Sequence, residues 1–245
     1  MKENIYTIPV LDGFKDDHEC PFCSMKSKLE RDTINFVLGP SYMEDDVRTE
    51  TNKYGFCKEH IEKLYKEKNR LGLALMLHTH ILKTREEMEK LLATHRPNSN
   101  SGLKKFFTKG SEDGSNPFHS FMEEKINGCY VCNRVNSTYD RYIDTFFFLL
   151  KKDPSMWEHL RSSKGFCFEH FYQIYSVASE HLNQKQLDEF MDIIIDIQMS
   201  NLKRIEDDLE WFTIKFDHRF KDEPWKNSKD AIPRAMIKTN SIINE

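Results

Sequence analysis

Between about Gln184 and Phe216, apolar side chains at Leu187, Phe190, Ile194, Ile197, Ile205, Leu209 and Phe212 recur three and four residues apart, with one eight-residue gap. The other positions are largely acidic and basic. That period predicts a long amphipathic helix whose stripe needs a covering partner. A second long helix is expected over Leu71–Leu92, apolar nearly all round at its start and charged from Lys83 onward, so its first half should be buried. Strand-like alternation is confined to Ile5–Val10, and Gly and Pro are sparse outside one stretch. The expected class is therefore all-α.

That stretch, HRPNSNSGLKKFFTKGSEDGSNP from His95 to Pro117, is rich in Ser, Asn, Gly, Pro and Lys and reads as a linker. It sets the expected organisation: a first helical repeat over residues 1–95, a linker over 96–117, a second repeat over 118–212 and a C-terminal segment over 213–245. The last of these carries seven Lys and Arg against four acids between Thr213 and Asn240. Its Phe216, Phe220 and Trp225 are expected to dock on the helical body rather than stay in water.

The six cysteines give the repeat its clearest form. A shift of 109 carries Cys20 and Cys23 onto Cys129 and Cys132, and a shift of 110 carries Cys57 and His60 onto Cys167 and His170. Around the later pair, Gly55 to Tyr65 (GFCKEHIEKLY) matches Gly165 to Tyr175 (GFCFEHFYQIY) at six of eleven positions. Such self-similarity indicates two related helical halves from an internal duplication.

Each copy holds Cys-x2-Cys and then Cys-x2-His, three thiols and one imidazole, which is the ligand set of a closed tetrahedral zinc site. A helix starting at Cys57 or Cys167 places the histidine three residues on, on the same face. Phe56 and Ile61, like Phe166 and Phe171, then occupy the positions of a hydrophobic staple. Gly55 and Gly165 permit positive φ before the helix, and Glu59 and Glu169 sit in its first turn, where the dipole favours an acid. The expected metal ligands are thus Cys20, Cys23, Cys57, His60, Cys129, Cys132, Cys167 and His170, holding two zinc ions of structural role. Three thiolates around a divalent ion leave each site a formal charge of about −1. The spacing leaves open whether each set closes within its own half or the pairs exchange, Cys20 and Cys23 meeting Cys167 and His170. An iron–sulfur centre or unliganded thiols are the lesser readings of the same residues.

A dithiol redox site is suggested by Cys20-Pro21-Phe22-Cys23, but Cys129-Tyr130-Val131-Cys132 lacks the proline and no βαβ pattern surrounds either. His78 and His80 would point about 200° apart on a helix and cannot chelate together. His119 has no spacing that ties it to either set. No phosphate loop, HExxH or nucleophile elbow is present, so the expected role is a non-enzymatic scaffold or regulatory interaction protein, the alternative being a thiol-redox or metal-dependent enzyme.

With 36 Lys and Arg against 40 Asp and Glu, the net charge of −4 gives no field for nucleic acid or anionic membrane, and neither is an expected partner, Lys104 and Lys105 notwithstanding. No apolar run approaches the roughly 20 residues of a membrane span. The N-terminal residues lack the apolar core of an export signal, so a cytoplasmic, reducing location is expected.

The CPxC start, the segment GPSYMEDDVRTETNKYGFCKEH (Gly39–His60), Arg70–His80, the second GFCFEH and KFDHRFKDEPWKNSKDAIPRA (Lys215–Ala235) together resemble an uncharacterised bacterial domain-of-unknown-function family. The resemblance spans nearly the whole chain and implies cytoplasmic, helical proteins with metal motifs and no established activity. Pro21 against Tyr130 is a departure between the copies.

Overall fold

The structure, a computed structural model, describes residues 5–94 and 116–243. Among these there are eleven α-helices, two short 3-10 turns and no strand. In order the helices are α1 (Thr7–Lys15), α2 (Pro21–Leu38), α3 (Asp45–Tyr54), α4 (Lys58–Lys66), α5 (Arg70–Thr94), α6 (Pro117–Asn127), α7 (Tyr130–Lys152), α8 (Pro154–Ser162), α9 (Phe168–His181), α10 (Gln184–Ile214) and α11 (Ala231–Asn240). Residues 96–115 of the expected linker lie outside the described residues. Asn116 and Pro117, expected in that linker, instead open α6, the Asn116 side chain accepting from Phe118 N–H.

Several helix starts follow from local chemistry. Asp153 caps α8 with Pro154 at the first helical position, and Asn183 caps α10 by accepting from Gln186 N–H. The Ile5–Val10 alternation does not make a strand. Thr7–Val10 is the first turn of α1, with Thr7 and Val10 buried and Ile8 exposed, which is the three-residue spacing of a helix read over too short a window.

By packing, the chain divides into two units: residues 1–29 with 136–245, and residues 30–135. Each sequence copy is thereby divided between them, and the chain passes from one unit to the other within α2 and again within α7. The first unit has an aromatic core. Phe14 stacks on Phe146 at 5.1 Å, Phe22 on Phe166 at 5.7 Å, and Phe147 meets Phe190 at 5.5 Å. From the expected stripe on α10, Phe190, Ile194, Ile197 and Ile205 are buried, and Gln198 is buried among them. In the second unit the buried apolar groups include Val37, Val47, Leu64, Leu73, Met76 and Val131.

Two expectations of burial are corrected. On α5 only Gly72, Leu73 and Met76 are buried, while Leu71 is 66% and Ile81 63% exposed. The helix packs mainly against α3, with lesser contacts to α4 and α6, and these leave Leu71 and Ile81 largely in water. In the C-terminal segment Phe220 meets Trp211 and Trp225 meets Phe212, at 6.3 and 5.7 Å, but Phe216 is 75% exposed. Lys215 holds this turn by donating to the carbonyls of Phe220, Lys221 and Glu223.

Candidate metal centre

The eight expected ligands form two groups. Cys20, Cys23, Cys167 and His170 gather in the first unit, and Cys57, His60, Cys129 and Cys132 in the second, the ligand atoms of each lying within 4.8 Å of one another. The pairs are therefore exchanged between the sequence copies.

Each group is built where two helices begin. Cys57 and Cys167 are the N-caps of α4 and α9, with nearly identical extended backbones (φ −70, ψ 167 and φ −71, ψ 165). Cys20 and Cys129 directly precede α2 and α7, their carbonyls accepting from Ser24 and Asn133 N–H. Helix N-termini present unpaired N–H groups and a positive dipole end, so each cluster of thiolates is met by two such ends. The chain reaches these caps through Gly55 and Gly165, at φ 61 and 75, where a side chain would be strained.

The distances fit a tetrahedral thiolate-imidazole sphere. In the first group the His170 Nδ1 lies 3.4, 3.3 and 3.1 Å from the sulfurs of Cys20, Cys23 and Cys167, and Cys23 and Cys167 are 3.6 Å apart. In the second the His60 Nδ1 lies 3.1, 3.4 and 3.3 Å from Cys57, Cys129 and Cys132, and Cys57 and Cys132 are 3.9 Å apart. Bonds of about 2.3 Å to sulfur and about 2.0 Å to nitrogen give tetrahedral edges of about 3.5 Å between sulfur and nitrogen and about 3.8 Å between sulfurs. All six cysteines are free thiols. Each group can hold a metal ion through three Sγ atoms and one Nδ1.

The surroundings differ. All four ligands of the first group are at most 3% exposed, whereas Cys57 and Cys132 are only half-buried. His60 turns its Nε2 to Glu30 at 2.8 Å, and Glu30 also accepts from Lys63 at 2.7 Å. A carboxylate behind a ligating imidazole fixes its tautomer and raises its basicity. His170 has no such partner; its Nε2 is buried and unpaired, with the rings of Phe22 and Tyr139 at 5.9 and 5.5 Å. Around Cys167, the amide of His170 and the hydroxyl of Ser241 donate to Sγ at 3.4 and 3.1 Å. Gln198 pins the preceding residue, accepting from Phe166 N–H at 2.9 Å and donating to its carbonyl at 3.0 Å.

Without a metal the same contacts set proton sharing. Burial works against a charged His60, but its hydrogen bonds to Cys129 and Glu30 outweigh this and raise it to about 10. Cys129, against burial, is lowered to about 6 by His60, and burial with the Cys129 charge pushes Cys132 up to about 12. His170, also against burial, rises to about 9 through Cys167 and Cys20. Hydrogen bonds from Cys20 and Cys23 pull the Cys167 thiol far down, and the bond to Cys167 drives Cys23 up. Glu30 is held down at about 2 by the His60 hydrogen bond, with burial opposing and Lys63 assisting. Thiolate paired with imidazolium is the state that a divalent cation replaces, with release of protons.

The other histidines are elsewhere. His80 bonds the Asn52 carbonyl at 2.8 Å, and a Cβ on Gly55 would lie 2.7 Å from its ring. His78 and His119 are exposed and join neither group. No local pattern marks Glu30, Lys63 or Ser241, whose positions are set by long-range packing. One does mark Gln198, a polar residue next to Ile197 where the α10 stripe begins its gap.

Among the described residues no helix is long and apolar enough to cross a membrane. No curated protein and no solved structure matches the chain. A family model does match, over residues 1–245: the chain belongs to DUF6062, a family of unknown function.

Proposed function

We propose that the protein is a non-enzymatic helical scaffold or interaction protein of the cytoplasm, held by two structural zinc ions. What carries this reading is the completeness of each ligand set. Three sulfurs and one imidazole nitrogen fill a tetrahedral zinc sphere and leave no place for water or substrate, unlike a catalytic site. Soft thiolates with imidazole favour zinc over hard cations such as magnesium or calcium. The shared cap geometry at Cys57 and Cys167 supports descent of the two copies from one duplicated unit.

An interaction role is supported by α9, where Phe168, Tyr172 and Tyr175 are 49, 72 and 49% exposed at helical spacing along one face. The matching positions of the first copy are Lys58, Glu62 and Tyr65. Exposed aromatics in one patch are more typical of a recognition surface than of idle solvent-facing helix.

The test is elemental analysis of protein purified without added metal, paired with thiol counting. Two equivalents of zinc, with no thiol reversibly oxidised while metal is retained, are expected. Reversible oxidation of Cys20 and Cys23 in a metal-free native protein would instead favour the redox enzyme.

A further inference from the structure

The two groups have the same ligands but different covers. Over the first lies the end of α11. Lys238, only 1% exposed, donates to the backbone carbonyls of Glu19 and Lys164, the residue before Cys20 and the residue before Gly165. It also lies 3.6 Å from the Glu19 carboxylate, which Arg204 binds at 2.6 Å. Three residues on, Ser241 donates to Cys167 Sγ at 3.1 Å and to Glu169 at 3.2 Å. One short segment thus ties together both backbone stretches that deliver the sulfurs and supplies a hydrogen bond to one of them. A buried cation beside a site of formal charge about −1 also offsets that charge. Among the described residues the second group has no comparable cover: Cys57 and Cys132 are half-buried, and Lys63 meets its His60 through Glu30, which bonds both.

We propose that the two centres differ in metal exchange: the ion of Cys57, His60, Cys129 and Cys132 exchanges with solvent thiophilic-metal pools, while that of Cys20, Cys23, Cys167 and His170 is sealed in by Lys238 and Ser241 of the C-terminal segment. This rests on the zinc reading above. A competing chelator must reach the ion or a sulfur to begin ligand exchange. At the open centre it does so from the folded state. At the sealed centre α11 must first lift, and such local opening is a minor population. Zinc then passes to the chelator and the freed thiolates take up protons from water, with no change in oxidation state.

The experiment uses the full chain loaded with zinc, mixed with excess 4-(2-pyridylazo)resorcinol, and follows release in time. Two phases of one equivalent each are expected, separated by at least about tenfold in rate. N-ethylmaleimide added during the fast phase should label Cys57 and Cys132 before Cys20, Cys23 or Cys167. Lys238→Met and Ser241→Ala should accelerate the slow phase and leave the fast phase unchanged. With cobalt in place of zinc, Ser241→Ala should move the thiolate charge-transfer band of one equivalent to lower energy, because sulfur loses a hydrogen bond. A single release rate, first labelling of Cys20, Cys23 or Cys167, or a slow phase indifferent to both substitutions overturns the proposal. Fewer than two bound zinc ions would instead overturn the reading beneath it.

Discussion

Gln198→Leu isolates the part of the fold that delivers Cys167 to its group. The side chain is 2% exposed and makes two bonds to one residue, accepting from Phe166 N–H at 2.9 Å and donating to Phe166 C=O at 3.0 Å. Leucine is of similar size, so little cavity is created. What changes is that the N–H and C=O of a wholly buried residue both lose their partner. Each such orphan costs about 1–3 kcal/mol, so a loss of about 2–6 kcal/mol is expected, far above that of a surface change. Met199→Ala, on the next and 54% exposed position of α10, is the control and should stay within about 0.5 kcal/mol. Urea denaturation of the zinc-loaded proteins measures both. Because Phe166 precedes the cap residue of α9, Gln198→Leu should also weaken zinc retention in the first group alone. A loss below about 1 kcal/mol, or equal loss of zinc from both groups, would refute the assignment of Gln198 as the brace of this turn.

Cys167→Ser should lose one zinc equivalent and lower amide protection in residues 1–29 and 136–243, whereas Cys57→Ser should lose one equivalent and lower protection within 30–94 and 116–135; hydrogen exchange read by mass spectrometry checks both, and loss confined to consecutive halves would contradict the exchanged pairing. Gly55→Ala places a Cβ at positive φ within 2.7 Å of the His80 ring and should cost about 1–3 kcal/mol by thermal or urea denaturation, with partial recovery in Gly55→Ala combined with His80→Ala. In the chelator-treated chain Glu30 sits at about 2 against an ordinary 4.5, so its contribution is full above pH 4.5 and is lost as pH falls toward 2. Glu30→Gln should flatten stability over that window by up to about 3 kcal/mol, an amount shared with His60, and an unchanged acid slope would count against the Glu30–His60 contact.

What the sequence disclosed was local. The Cys-x2-His step, the N-cap role of Cys57 and Cys167 and the positive φ of Gly55 and Gly165 all follow from residues within one turn of each other, and all are seen. The α10 stripe was legible for the same reason. Partner choice was not, because Cys23 meets Cys167 across 144 positions and Cys132 meets His60 across 72. Nothing in either motif encodes which one it faces; that is decided by where α2 and α7 lead the chain. The strand-like alternation at Ile5–Val10, which folds as helix, and the overestimated burial of Leu71 share a cause, since a short apolar run does not say which side a neighbour will cover. The exposure of Phe216 has no account beyond its place at the end of α10.

The nested order of the units bears on how a ribosome would deliver this protein. Residues 30–135 emerge as one uninterrupted stretch carrying the full ligand set of their own centre. The first 29 residues emerge earlier yet cannot be completed until position 170 and beyond has been translated, so Cys20 and Cys23 wait longest as bare thiols. Of the two ligand sets, the one begun earlier is thus completed later, and a chaperone or a scavenging metal would find its longest opportunity there.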